Sequence, residues 1–409
     1  MMMKTNLRLL ILLEALLLSF KLEAQWIQVA DFGGLERDDL VAFTCNERAF
    51  VGSGMNAGYQ VNNDFYEFKA DLNQWQSIPN LPGLPRQYAF SFSFTDVAIV
   101  YAGIDQAGND LKDGYQYHAQ NNSWTNVAAY PGNGSRGCAS STLNNSGFVG
   151  LGRSNGNIMH NDWWQYQSAN DTWTQKTSFP GAARNLSTCF ESNGMIYVLG
   201  GIGANDVALN DIWQYNPLQD VWQLLALALP SALGNTAHCK VKNSGVLIGG
   251  FNGQNVYSNE ALQFDAFNES WINIPPIPIN GTMKGARAFS LNNELYVTCG
   301  ITADNTRLKS TWKYNLINTN HSLQIDAPPI TIYPLPANER FTIFFAENKP
   351  NQYTSYAIYD LHGTLVKTDQ IKEASKQISV DTNEITAGFY LIKIYKTIGV
   401  NCYKLVIKN

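Results

Sequence analysis

Charge is scarce in this 409-residue chain: Asp, Glu, Lys and Arg together make up 15% of it, against roughly a quarter in an average soluble domain. That argues against a coiled coil and against a solvated disordered chain, both of which are rich in charge. The balance is acidic, with a net charge of −5, so the basic face that nucleic-acid binding requires is missing. Cysteine is sparse too. Cys45, Cys138, Cys189, Cys239, Cys299 and Cys402 lie far apart and form no CxxC. They sit inside apparent strands rather than in a disulfide framework, and read as buried free thiols. The five histidines make no HxH or HExxH arrangement, so no zinc site is expected, and no cofactor. Past residue 24 no run approaches the ~18 apolar residues of a membrane span, and the mature chain is expected to have none. Present in quantity are 32 Gly, 10 Trp, 20 Tyr and 20 Phe, a composition suited to strands and tight turns.

The first 24 residues read as a secretory signal peptide. Lys4 and Arg8 supply a positive start, residues 9–20 run apolar apart from Glu14, and Leu22-Glu23-Ala24 offers a cleavage site before Gln25. The stretch is too short and wrongly flanked for a stable span.

A repeat organises the middle of the chain. Trp26, Trp75, Trp124, Trp173, Trp222 and Trp271 recur at intervals of 49 residues. In phase with them runs an acidic residue followed by alternating aromatics: Asp64-Phe-Tyr66-Glu-Phe68, Asp113-Gly-Tyr115-Gln-Tyr117, Asp162-Trp-Trp164-Gln-Tyr166 and Asp211-Ile-Trp213-Gln-Tyr215, with degenerate copies at Glu260 and Ser310. A third series places Gly54, Gly103, Gly152, Gly201, Gly250 and Gly300 at the end of apolar runs. Each unit holds about four strand-like segments separated by Asn, Asp and Gly turns. A four-strand repeat of this length is a propeller blade rather than a solenoid turn.

On these three series, residues 25–318 resemble a kelch β-propeller, whose hallmark is a Gly-Gly strand end followed by a spaced Tyr/Trp pair. The match departs where Ser53, Ala102, Leu151 and Cys299 replace the first glycine. Six aromatic third strands occur, yet no phased Trp follows the last, and the unpaired Trp26 lies at the opposite end. The N-terminal strand is therefore expected to complete the last of six blades, which leaves no open seam.

Residues 319–329 are polar and then Pro-rich, as in a linker. Residues 330–409 form a small β unit, expected as a sandwich. It resembles the type A sorting domain of the type IX secretion system of Bacteroidota. The matching residues are Tyr333, Pro334 and Pro336 in Tyr333-Pro-Leu-Pro-Ala-Asn338; Asp360 and Gly363 in Ile358-Tyr-Asp-Leu-His-Gly363; Gly388 and Tyr390 in Ala387-Gly-Phe-Tyr-Leu-Ile-Lys-Ile394; and Lys404 and Lys408 in Lys404-Leu-Val-Ile-Lys408. Leu335 and Thr364 depart from that pattern. The resemblance implies export to the cell surface or exterior, with the type IX machinery as a partner.

Residues recurring in every blade, the phased Trp and Gly among them, read as packing and turn residues. Gly132-Asn-Gly-Ser-Arg-Gly137 matches GxGxxG but precedes no helix, so it is not a dinucleotide site. Arg37, Arg86, Arg136, Arg184 and Arg287 each open an inner strand. They could converge around the channel to bind carboxylates, sulfates or sugar hydroxyls, or bond to neighbouring loop carbonyls and acids. Tyr59, Tyr130 and Tyr257 lie in the same rim of loops and are candidate contacts.

The first expectation is thus an exported recognition protein whose propeller binds a glycan or a protein partner. An accessory subunit or adhesin of an outer-membrane assembly fits the same features. The chain also looks like the bacterial kelch sialic-acid mutarotases. That resemblance implies an arginine-held sugar carboxylate and an acid/base residue, for which Glu36, Asp38 and Asp39 are candidates. An enzyme should show a funnel with convergent Arg and a carboxylate of raised pKa, whereas an adhesin should show an occluded channel.

Overall fold

Within each repeat, hydrophobicity falls from the second strand outward, and this gradient sets how the strands stack. In blade 2 the second strand, Val97–Tyr101, is buried over its last four residues, whereas the outer strand, Ser123–Val127, has no fully buried residue. Inner strands alternate, as in Val41–Cys45, because only one of their faces enters the core. A computed structural model describes residues 26–266, 269–315, 330–333, 337–345, 353–360, 364–372, 376–396 and 400–408, with the side chains at 331, 333, 396 and 400–404 outside the description. The signal segment and linker of the sequence reading, and Pro334, Pro336 and Gly363, lie outside the described residues.

The chain separates into two compact units, on either side of Ile317 and Asn318. The first is a propeller of six four-stranded antiparallel blades. Each runs from an inner strand to an outer one, and each inner strand packs on the next, the sixth on the first. Inner strands are Val41–Cys45, Phe90–Ser93, Ala139–Leu143, Thr188–Ser192, Ala237–Val241 and Arg287–Leu291. The sixth blade takes its outer strand from the start of the chain: Trp26–Val29 pairs antiparallel with Thr311–Tyr314, Trp26 opposite Tyr314.

The six phased tryptophans act as staples between blades. Each indole Nε1 donates to a carbonyl at the end of the preceding blade: Trp75 to Ala30, Trp124 to Pro79, Trp173 to Ala128, Trp222 to Thr177 and Trp271 to Ala228. Trp26 donates to Pro275, 249 residues away, and so ties the first strand of the chain to blade 5. Each ring also packs on the aromatic opposite it, as Trp173 does on Tyr166 with centroids 4.9 Å apart. Such a pair contributes about 0.5–1.5 kcal/mol beyond area burial.

A second closed ring is made of backbone. Asp39, Tyr88, Gly137, Leu186, Asn235 and Gly285 sit just before the six inner strands. Each donates its N–H to the carbonyl of the one before it, at 2.7–3.1 Å, and Asp39 closes the circle by donating to Gly285. All six adopt positive φ, from 52° to 66°. That backbone turns N–H and C=O into the plane of the circle, at a conformational cost for the four that are not glycine. Glycine is required at 285, where a Cβ would stand 2.8 Å from an Asp39 carboxylate oxygen.

The second unit comprises a three-stranded sheet (Ile330–Tyr333, Arg340–Phe345, Gln377–Asp381) and a four-stranded one. The latter follows the order Leu365–Gln370, Tyr353–Tyr359, Gly388–Lys396, Val400–Ile407. Phe341, Ile343, Ile358, Ile392 and Leu405 make one buried core. Leu365–Gln370 had no sequence signal, because it is an exposed edge strand whose residues are mostly polar.

Candidate functional site

The repeat's acidic series and its arginines prove to be partners. Arg37, Arg86 and Arg184 each lie 27 residues before the acid of their own blade, and each grips it with both terminal nitrogens. Arg86 reaches Asp113 at 2.8 Å through both, and also donates to the carbonyls of Leu84 and Ala102. Arg184 holds Asp211, Ala182 O and Gly200 O in the same manner, and Arg37 holds Asp64. The three side chains are 0–1% exposed. The forked donors of these arginines serve the blade's own carboxylate and carbonyls.

Arg136 was read as a member of the same series but stands one residue out of phase. Ser135 takes the phased place, and Arg136 instead faces Asp110 at 3.7 Å and donates to Ser154 O. Blade 3 fills the missing guanidinium with Tyr130, which is 1% exposed and so is no rim contact. Its Oη lies against the Cβ position of Gly132, where Nη2 of Arg37 and Arg86 lies against Gly34 and Gly83. Tyr130 occupies the position held by Phe32, Leu81 and Phe179 in other blades. A Tyr/Ser pair thus replaces a Phe/Arg or Leu/Arg pair. The equal 27-residue spacings, and the one-residue offset of Arg136, are visible in the sequence once the 49-residue phase is applied.

Tyr59 is 56% exposed, yet it bridges the loops of blades 6 and 1: Asn305 Nδ2 donates to its hydroxyl at 2.9 Å and the Arg307 guanidinium lies 4.9 Å from its ring. Arg307 Nε also donates to Asp38 at 2.6 Å, and both side chains are nearly buried. Burial, and then the neighbouring Asp39, push the Asp38 carboxyl up to about 7. Tyr257 is half-buried beside Lys284, whose ammonium lies 4.9 Å from its ring and 4.3 Å from that of Phe251.

Arg287 is the exception among the five arginines. It is the first residue of an inner strand, and it lines a cavity of about 310 Å³ that runs down the axis of the propeller. All six inner strands contribute to this cavity. Ala42, Ser91, Ser140, Cys189, His238 and Ala288 form one level; Thr44, Ser93, Thr142, Glu191, Lys240 and Ser290 form another. The residues of the second level are partly exposed and sit toward the hairpin ends of the strands. The opposite end, at the starts of the strands, meets the backbone ring. There the side chains of Asp39 and Asn235 bond to each other at 2.9 Å from non-adjacent blades. The cavity therefore opens on the hairpin side, away from the face where the sequence placed the arginine funnel.

Hydroxyls knit the cavity wall: Ser93 Oγ accepts from Thr44 N, Thr142 Oγ1 accepts from Ser93 N, and Ser91 Oγ donates to Ala42 O. Lys240 donates to Glu191 across blades 4 and 5. Arg287 donates Nη1 to Ala286 O and has no carboxylate within ion-pair distance among the described residues. Burial lowers its pKa from the usual arginine value, although Asp39, Tyr88 and Asp38 act in the opposite direction. Burial, then the charge of Arg287, bring His238 down to about 4, so its imidazole is neutral at pH 7. Among the described residues no group of His, Cys, Asp and Glu could hold a metal ion. The five described cysteines are free thiols whose pKa burial raises, to about 12 at Cys45, Cys239 and Cys299. Gly132 to Gly137, the GxGxxG match, runs into the backbone ring at Gly137.

In the second unit, Asp360 and Thr364 bond reciprocally at 3.0 and 2.9 Å. Tyr390 is buried and donates to Thr386 O at 2.7 Å. Gly388 starts the strand that carries it, and Lys408 N bonds to Ala337 O while its side chain is exposed. Lys404 lies in the last strand.

Residues 39–240 match the KLHDC2/KLHL20/DRC7 Kelch-repeats domain family, and residues 331–408 match the secretion system C-terminal sorting domain. No curated protein matches the chain. Among solved structures the chain is similar to the one titled "Structure of YjhT", at 13% identity and a TM-score of 0.60, over 71% of this chain and 98% of that one. At that identity the likeness shows the fold alone. The chain thus carries a kelch-repeat propeller followed by a C-terminal sorting domain, which indicates secretion by the type IX system to the cell surface or exterior.

Proposed function

We propose that the exported propeller binds a small, polyhydroxylated and anionic ligand, of the glycan class, in its axial cavity. The observation that carries this reading is Arg287. Three of the repeat's arginines are saturated by carboxylates of their own blades, whereas this one faces the cavity without one. A half-buried guanidinium with no carboxylate within ion-pair distance favours an incoming carboxylate or sulfate. Neutral His238 and the hydroxyls of Ser91, Ser140 and Ser290 on the same wall suit the hydroxyls of a sugar, which both donate and accept. A volume of about 310 Å³ is at the small end of ligand sites and fits a monosaccharide better than a folded partner.

Binding is better supported than catalysis. Asp38 has the raised pKa of an acid/base residue, but Arg307 holds it and it does not line the cavity. Glu191, the carboxylate that does line it, is engaged by Lys240.

Calorimetric titration of the purified protein with acidic, sulfated and neutral monosaccharides tests the reading. Acidic sugars should bind, neutral ones should not, and Arg287→Gln should weaken binding at least about tenfold, the 1.4 kcal/mol expected of a single charge-assisted contact. Equal binding of acidic and neutral sugars, or silence across the panel from folded protein, would overturn it.

A further inference from the structure

In a regular repeat, a residue found in every blade packs, and one that differs from all its equivalents has another use. The axial cavity holds two such departures side by side. At the first position of the inner strands, Val41, Phe90, Ala139, Thr188 and Ala237 are buried, and blade 6 alone carries a charge, Arg287. At the next position five blades carry Ala42, Ser91, Ser140, Cys189 and Ala288, and blade 5 alone carries an imidazole, His238. The strands Ala237–Val241 and Arg287–Leu291 pack directly on one another, and the charge of Arg287 reaches the His238 ring.

The imidazole is fixed in one tautomer. Its Nδ1 lies 3.1 Å from Thr236 O, and a carbonyl oxygen can only accept, so Nδ1 carries the ring proton. A neutral imidazole has one N–H, which leaves Nε2 as an acceptor. Among the described residues Nε2 has no hydrogen-bond partner. Arg287, by contrast, offers donors only. Neighbouring strands of the cavity wall thus present a cationic fork suited to an anionic group and an uncharged acceptor suited to a hydrogen. Charge decides which donor can approach that acceptor. Burial and the Arg287 guanidinium bring the ring's pKa down to about 4, and the field that keeps a proton off the imidazole also opposes an ammonium group placed beside it. The matching donor is a neutral hydroxyl.

We propose that His238 is the specificity residue of the axial cavity: its Nε2 accepts a hydroxyl of the ligand while Arg287 holds the ligand's carboxylate, so the site selects hydroxy acids over amino acids and over acids without a hydroxyl. This rests on the axial cavity being the ligand site, and adds to it the class of ligand and how it is oriented. An acid without a hydroxyl leaves Nε2 desolvated and unpaired, and a site built to bond a hydroxyl discriminates against such an analogue.

Calorimetric titration of the purified full chain with four acids provides the test: glucuronate, galacturonate, tetrahydropyran-2-carboxylate and piperidine-2-carboxylate. The third keeps the ring and carboxylate of the uronates without their hydroxyls, and the fourth puts an ammonium group in that ring. The wild type should bind a uronate more tightly than either. His238→Ala gives blade 5 the residue that blades 1 and 6 carry, so the variant should fold. It should weaken uronate binding about fivefold, the contribution of one neutral hydrogen bond, and leave the bare acid unchanged, whereas Arg287→Gln should weaken both. Nitrogen-15 NMR of histidine-labelled protein at pH 7 supplies a readout independent of affinity. The signals that His238→Ala removes should be those of the Nδ1–H tautomer, and uronate should shift the Nε2 signal. Equal weakening of uronate and bare acid by His238→Ala, a ring protonated at Nε2, or tighter binding of piperidine-2-carboxylate than of the uronates overturns the proposal and leaves the cavity as an anion site. Silence from all four acids with folded protein overturns the underlying reading, and the proposal with it.

Discussion

Blade 3 shows that a Tyr/Ser pair can occupy the space of the repeat's arginine, and moving that pair into blade 4 tests the account of the series. Arg184→Ser removes a guanidinium that is 1% exposed and bonded to two carbonyls and both oxygens of Asp211. Breaking a buried pair from one side costs roughly 3–5 kcal/mol. The partner left behind decides where in that range the loss falls. Asp211 is 29% exposed and water can reach it, so Arg184→Ser should cost about 3 kcal/mol, which for a domain of this size corresponds to on the order of 6–12 °C in Tm. Asp211→Asn instead leaves the guanidinium buried without a counter-charge, and should cost nearer about 5 kcal/mol. Adding Phe179→Tyr to Arg184→Ser reproduces the Tyr130/Ser135 arrangement. It should recover little, within about 1 kcal/mol, because in blade 3 Tyr130 Oη, Ser135 Oγ and Asp162 Oδ1 are buried without a hydrogen-bond partner and the pair only refills the space. Urea or thermal unfolding of the four proteins measures all three quantities. A loss below about 1 kcal/mol for Arg184→Ser, which is the range of a surface pair, would refute the reasoning. So would a double variant as stable as the wild type.

Two further outcomes follow from the closure of the ring. Trp26 is 5% exposed, donates to Pro275 and packs on Tyr314; Trp26→Ala should cost about 3–5 kcal/mol, more than Trp222→Ala, whose ring is only half-buried, as measured by chemical denaturation. Asp38 predicts a pH dependence at the seam between blades 6 and 1: because burial and Asp39 raise its folded pKa to about 7 from 3.8, the folded state binds the extra proton between those values. Stability should therefore fall as pH rises from about 4 to about 7 and level off above. Thermal scans across that range should show the slope, and Asp38→Asn should remove it.

The pattern of legible and illegible features follows from what a repeat encodes. The 49-residue phase made the blades, their number and the N-terminal clasp readable, because inter-blade packing imposes the same residue on every copy. The role of Trp as packing rather than stacking platform was readable for the same reason. Partnerships between motif series within one blade were harder to see. Arg86 and Asp113 occur in separate motif series, and only the fold shows that one saturates the other, which removes the arginines from the ligand-facing set. Arg136 stands one residue out of phase, whereas Tyr130 is in phase with the apolar Phe32, Leu81 and Phe179 and so belongs to the packing. The edge strand Leu365–Gln370 gave no signal because a solvated edge needs no hydrophobic alternation.

What the amino-acid order determined alone is the part that is local or periodic: strands, turns, blade count and the motifs of the sorting tail. Tertiary structure decided which end of the channel is open. A circle of six residues spaced along some 250 positions (from Asp39 to Gly285) closes one end through backbone bonds, and backbone bonding leaves no mark on side-chain identity when Asp, Tyr, Gly, Leu and Asn all adopt the same positive φ. Tertiary structure likewise placed Arg287, which is out of phase with Arg37, Arg86 and Arg184, on the wall of the cavity. Whether a guanidinium is available to a ligand depends on which carboxylate the fold brings within reach of it, and that distance is a property of the closed propeller rather than of any segment.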